Sequence, residues 1–149
     1  MKLYLDLEVL RFNEKFTYSI SIQPDLNPLS IGVPPMIIQP FVENAIWHGL
    51  LHKEAVGKLD IEIHRMEGGV KCVITDNGIG RKKAVEMKSK TDDKDKSYGM
   101  KITGDRLNML NRESKVSSVE IIDLEDTYGE PLGTQVIVKI LSAEIEPEF

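Results

Sequence analysis

The sequence holds a single cysteine, Cys72, among 149 residues. That excludes an internal disulfide framework and any zinc site built on thiolates, and it fits a reducing compartment. A long apolar run is also missing. The richest stretch, Val33 to Val42, is broken by Pro34, Pro35, Gln39 and Pro40, and nothing approaches the ~20 residues of a membrane-crossing helix. Any membrane anchor is therefore expected outside this chain. No signal peptide is expected either, because Asp6 and Glu8 interrupt the apolar segment that should follow Lys2. There is no excess of basic residues: 19 Lys and Arg stand against 24 Asp and Glu, for a formal charge of −5, which argues against a nucleic-acid partner. What is present, 41% hydrophobic and 29% charged residues, describes one globular domain able to bury a single core.

Periodicity supplies the elements. Leu3, Leu7, Leu10 and Arg11 recur at helical spacing with Asp6 and Glu8 turned away, so residues 1–13 are expected to form a short amphipathic helix. Phe16, Tyr18, Ile20 and Ile22 alternate with Thr17, Ser19 and Ser21, the pattern of a strand with one buried face. Apolar residues at 37, 38, 41, 42, 45 and 46 predict a central helix from Met36 to Leu51, with its prolines in the first turn, where a helix tolerates them. Leu59, Ile61 and Ile63, then Gly68-Gly69, then Val70, Cys72 and Ile74 describe a hairpin. Residues 81–98 are rich in lysine and show no convincing period, so they are expected to be a mobile loop. Ile102, Leu107, Met109 and Leu110 suggest a further helix, and Val119 to Leu124 and Val136 to Ile140 a final pair of strands. There is no internal repeat and no domain linker. The expected class is α+β, a mixed, mostly antiparallel sheet with helices on one face.

Three segments carry chemistry. On the central helix, Asn44 and His48 stand one turn apart and can share a face, either as a satisfied surface pair or as a ligand site. Asp76-Asn77-Gly78-Ile79-Gly80 closes a strand with two glycines that permit a sharp backbone turn, and reads equally as a turn or a site. Ser97-Tyr98-Gly99-Met100-Lys101 opens a helix and offers free amide groups to an anion.

In this order and spacing, the three segments resemble the nucleotide-binding boxes of the GHKL superfamily, which includes gyrase-type, heat-shock-chaperone-type and mismatch-repair-type ATPases and the catalytic domains of histidine kinases. Gln39 to Gly49, with the preceding YLDLEVLRFNEKF and IGVPPMIIQP, is most similar to sensor histidine kinases of the LytS type, and the resemblance spans nearly all of residues 4–140. It implies a Bergerat-type two-layer α/β sandwich with a long mobile ATP lid. Residues 1–13 would be a linking helix from an upstream region, 14–141 the catalytic domain and 142–149 a tail. It further implies Mg-ATP as cofactor and transfer of the γ-phosphoryl group to a histidine. By the match, Asn44 is a Mg²⁺ ligand, reasonable because Mg²⁺ keeps waters and takes phosphate oxygens besides. Asp76 corresponds to the aspartate that recognises adenine; an ionised carboxylate only accepts hydrogen bonds, so it meets adenine's exocyclic amino group and disfavours guanine's carbonyl. Gly78 and Gly80 would lie near the base, Gly99, Met100 and Lys101 near the phosphates, and His48 beside the nucleotide. Gly133-Thr134 resembles the family's Gly-Thr pair, placing Thr134 near the nucleotide, or is simply a turn glycine before a strand residue.

Departures from the pattern are concentrated at four positions. Where gyrase-like ATPases place a water-activating glutamate, four residues before the asparagine, this chain has Pro40, which cannot act as a base. Glu43, roughly 100° round the helix from Asn44, is the candidate that would orient or polarise an acceptor, or else packs or pairs. Trp47 replaces a lysine, and Ser97 and Ile102 replace a glycine and an asparagine of the second glycine box. The expected function is that of the catalytic domain of a two-component sensor histidine kinase. The alternatives are a non-catalytic nucleotide-sensing module and a GHKL ATPase. None of His48, His52 and His64 lies in a segment like the family's phosphoacceptor helix, so the acceptor is expected on an upstream dimerisation segment. The parent is expected to be a membrane-anchored homodimer with this domain in the cytoplasm, and a response regulator receiver domain is the expected downstream partner. Residues 81–101 hold eight Lys or Arg against four Asp or Glu, a basic segment that is either a solvated loop or a lid over phosphates.

Overall fold

A computed structural model describes residues 1–27, 37–90 and 116–141. Helix α1 (Lys2–Arg11) leads to strand β1 (Phe16–Ile22); helix α2 (Gln39–Asn44) runs on through a π-helical turn (Ala45–Gly49) and a 3₁₀ turn (Leu50–His52). Strands β2 (Gly57–Met66) and β3 (Gly69–Asp76) follow, then helix α3 (Gly80–Lys90), β4 (Val116–Glu125) and β5 (Pro131–Leu141). The strands form one five-stranded sheet in the order β1-β2-β3-β5-β4. Only β1 and β2 are parallel, with the α2 segment as their crossover, while the other pairs are antiparallel.

The register explains the two layers. Phe16, Leu59, Ile61, Val70, Cys72, Ile74, Val138 and Ile140 occupy one sheet face and join Leu5, Phe41, Val42, Ala45, Ile46 and Leu50 of the helices in a single buried cluster. The opposite face carries Thr17, Ser19, Asp60, Glu62, His64 and Lys71, the polar half of the same alternation. The mixed sheet with helices on one side is therefore as the periodicity predicts. Cys72 sits in the core, and burial pushes its thiol up to about 11, leaving it unreactive. Among the described residues no helix is long and apolar enough to cross a membrane.

Three expectations need correction. The expected loop after Gly80 begins as a helix: α3 covers its first ten residues, and Arg81 and Lys82 of α3 pair with Asp123 at 2.7 Å and Glu125 at 2.6 Å on β4. Apart from Ala84, its side chains whose burial is described are exposed; it has no apolar stripe for a period to reveal. Helix α1 is present, but the stripe of Leu3, Leu7 and Leu10 faces outward, while Leu5 and Glu8 are buried. Leu5, Val9 and Phe12 form a second apolar stripe, and this one packs on the core. The central helix starts at Gln39 with Pro40 in its first turn and is α-helical only to Asn44. The further helix expected around residues 102–110, the rest of the lid, and the tail lie outside the described residues.

Candidate functional site

Between the α2 segment, the end of β3, α3 and the β4–β5 pair lies a cavity of about 180 Å³. Phe41, Asn44, Ala45, His48 and Gly49 line it from the helix, Ile74 and Asp76 from β3, and Thr134 and Val136 from β5. Ile121 of β4 and Gly80, Arg81, Ala84 and Val85 of α3 complete the wall. The lining is mostly apolar, with polar groups at a few positions, the character of a small-molecule pocket.

Asp76 is its singular feature. As the last residue of β3 it keeps the inward parity of Cys72 and Ile74, so the alternation that builds the core also delivers a carboxylate to the cavity, 4% exposed. Its Oδ1 accepts a hydrogen bond from the Gly78 backbone N–H at 2.9 Å. Burial pushes its pKa up to about 6, against the pull of the Gly78 and Thr134 backbone N–H groups and the charge of Lys53. Above that value it is an ionised, nearly dehydrated acceptor. The neighbouring Asn77 turns the other way: its Oδ1 accepts from the Lys58 N–H at 2.7 Å and its carbonyl from Lys53 Nζ at 2.7 Å, fixing the strand end that carries Asp76.

The glycines fit this construction through close approach. A side chain on Gly78 would place its Cβ 2.4 Å from the Gly49 carbonyl carbon, and one on Gly49 would come 2.9 Å from Asp76 Oδ1. The two backbones touch, and the Ile79 N–H bonds the Gly49 carbonyl at 3.3 Å, locking the Asp76 turn against the helix that carries Asn44 and His48. Gly80, at φ 79, turns the chain into α3.

The structure thus brings Asn44, His48, Asp76, Gly80 and Thr134 to one cavity, with Gly78 packed behind Asp76. Glu43 is not among the lining residues; its Oε1 accepts from Gln39 Nε2 at 2.9 Å, and its charge acts on Tyr4 of α1. Trp47 also turns from the cavity, meeting Phe12 edge-on. Gly99, Met100 and Lys101 lie outside the described residues. Sequence reasoning passed over Gly49, whose role comes from contact with a segment far along the chain, and Arg81, whose guanidinium forms a two-pronged pair with Asp123. Arg81 and Lys82 spend their charge on β4, so the basic run is partly neutralised from within.

No family model matches the chain. It is 38% identical over 80 residues to the sensor protein LytS of Oceanobacillus iheyensis, a match covering 54% of this chain and 13% of that protein. It is 28% identical over 138 residues to the putative uncharacterized protein YwpD of Bacillus subtilis, covering 86% of this chain and 49% of that one. The chain therefore spans at most about half the length of these relatives. Among solved structures, the catalytic domain of histidine kinase ThkA superposes with a TM-score of 0.58 at 17% identity, over 93% of this chain and 86% of that one. In sequence about half of the chain is similar to part of the LytS sensor protein, and in fold the chain resembles the catalytic domain of histidine kinase ThkA.

Proposed function

We propose that the cavity binds Mg-ATP and that the chain presents the γ-phosphoryl group to a histidine on an attached dimerisation segment, as the catalytic domain of a two-component sensor kinase. The observation that carries this reading is Asp76, a buried acceptor in a mostly apolar cavity, matched to a base that offers an amino group. Phe41, Ile74, Ile121 and Val136 supply apolar surface for the faces of that base. The residues fit a magnesium ion as well: Asn44 lines the cavity and is only half-buried, a neutral oxygen ligand for a cation whose other positions waters and phosphate oxygens fill. When bound, that ion neutralises phosphate charge, which with alignment is most of what phosphoryl transfer asks of a protein. Asp76 holds the base, Thr134 adds a hydroxyl at the cavity, and Arg81 with Asp123 keeps the α3 wall in place.

The rest of the parent belongs to the same proposal, and two observations bear on it. The relatives are longer sensor proteins, and the outward stripe of Leu3, Leu7 and Leu10 on α1 has the spacing of a helix-packing seam. The stripe supports an adjoining helical segment, which in this reading dimerises and bears the acceptor, and the relative's length supports a larger sensing parent; in the same reading that parent is a membrane-anchored homodimer with this domain in the cytoplasm and a receiver domain downstream. Of the chain's own histidines, His64 is bonded to Glu62 at 3.1 Å on the sheet and His48 lines the cavity. The chain alone is therefore expected to bind labelled Mg-ATP without labelling itself, and to label an added dimerisation segment bearing the acceptor histidine. Efficient labelling of the isolated chain, or no binding of Mg-ATP, overturns the reading.

A further inference from the structure

The α2 segment carries two pairs of side chains on adjacent stripes. Asn44 and His48 line the cavity; Glu43 and Trp47, each one residue earlier, face α1. The grip on Trp47 is specific. Phe12 meets it at right angles with ring centroids 5.2 Å apart, and the Arg11 guanidinium sits 5.3 Å from the centroid of each ring, within the range of cation–π attraction. Trp47 and His48 both belong to the π-helical turn. Such a turn lacks the regular α-helical ladder and is often found at functional sites, so what holds its side chains from outside helps decide where they point.

The seat of α1 is also incompletely satisfied. Glu8 is buried, its Oε2 has no hydrogen-bond partner among the described residues, and its Oε1 meets Arg11 only at 3.5 Å. The helix ends in a Schellman motif, with the Glu14 N–H bonded to the Val9 carbonyl at 2.8 Å and the Asn13 N–H to the Leu10 carbonyl at 3.2 Å. Asn13 at φ 51 stands where glycine is usual and asparagine is tolerated, but Glu14 follows it at φ 57, a left-handed conformation uncommon for a glutamate. Glu8 and Glu14 flank Arg11 and Phe12 in sequence, and the unpaired buried oxygen and the positive φ each cost stability in the seated position of α1.

We propose that the Arg11–Phe12–Trp47 clamp is a positioning device: the seating of α1 sets the aim of Asn44 and His48. The consequence for nucleotide affinity rests on reading the cavity as a nucleotide site. Neither Arg11 nor Phe12 is among the residues that line the cavity, and both meet Trp47.

The test uses the 149-residue chain, labelled for NMR. Without nucleotide, Phe12→Ala and Arg11→Ala shift the Asn44 side-chain amide and His48 ring signals, and Phe12→Tyr, which keeps the ring, leaves them near wild type. Mg-ATP affinity falls by about five-fold or more in Phe12→Ala, the low end of site-to-site coupling, and returns in Phe12→Tyr. Trp47 is the only tryptophan, so its fluorescence responds to Mg-ATP although it lies outside the cavity. Unmoved Asn44 and His48 signals in folded Phe12→Ala and Arg11→Ala overturn the proposal, as does equal affinity in every variant. If the signals move but the wild type binds no nucleotide, the clamp stands and the nucleotide reading falls.

Discussion

Replacing Asp76 with asparagine should move stability and ligand affinity in opposite directions. The carboxyl rises from 3.8 to about 6 in the folded chain, chiefly through burial, a change worth on the order of 3 kcal/mol against the ionised form. Between those two values the folded chain holds a proton that the unfolded chain has released. Wild-type stability from this group is therefore full below about pH 4, falls as pH rises to about 6, and levels off above. The substituted amide carries no charge in either state, so Asp76→Asn removes that loss. It also sets an amide against the Gly78 and Thr134 N–H donors that face the carboxylate, returning roughly 1–2 kcal/mol. The net expectation is a variant more stable than wild type by about 1–2 kcal/mol at pH 7.5 and no more stable at pH 4, read by urea unfolding at both values. The same change should weaken Mg-ATP binding by about 1.5–3 kcal/mol, the range for a hydrogen bond to a charged group, read by calorimetric titration. A variant less stable than wild type by equal amounts at both pH values would refute the claim that burial dominates at Asp76. Unchanged affinity would remove its role in recognising the base.

The other expectations are narrower. Asn44→Ala should reduce the Mg²⁺-dependent part of nucleotide binding most, and equal loss with and without Mg²⁺ would count against Asn44 as the ligand. Gly78→Ala drives a methyl into the Gly49 backbone and should cost about 1–3 kcal/mol in urea unfolding; a neutral result would mean the two segments separate easily. Lys82→Ala should leave Mg-ATP affinity unchanged, because Lys82 already pairs with Glu125. Its half-exposed neighbouring pair Arg81–Asp123 should show a coupling below about 1 kcal/mol in a double-mutant cycle on stability.

How much of this was legible in the sequence depends on what held each element. The strands were: β1, β2, β3 and β5 each alternate apolar and polar residues because one face meets the helices and the other meets water, and that period survives in the order of residues. The α3 helix was not, because its exposed side chains leave no apolar stripe and its ion-pair partners Asp123 and Glu125 stand 42 and 43 residues away. For α1, existence was legible and orientation was not: Leu3-Leu7-Leu10 and Leu5-Val9-Phe12 have the same spacing, and only the shape of the core selects the second.

The candidate site divides the same way. By itself the sequence determined which residue types stand at the end of β3 and along α2, and the order of their boxes, since parity along a strand and spacing along a helix are local properties. Spacing marked Asn44, His48 and the Asp76 turn as candidates, and the resemblance to the GHKL boxes added Thr134. Only the tertiary structure decided that these converge on one cavity, that Gly49 and Gly78 must lack side chains because their backbones touch, and that Glu43 and Trp47 turn toward α1. It also decided the state of Asp76, because the burial that raises its pKa to about 6 comes from elements far apart in the chain. Desolvation depends on everything packed around a group, which no local pattern records.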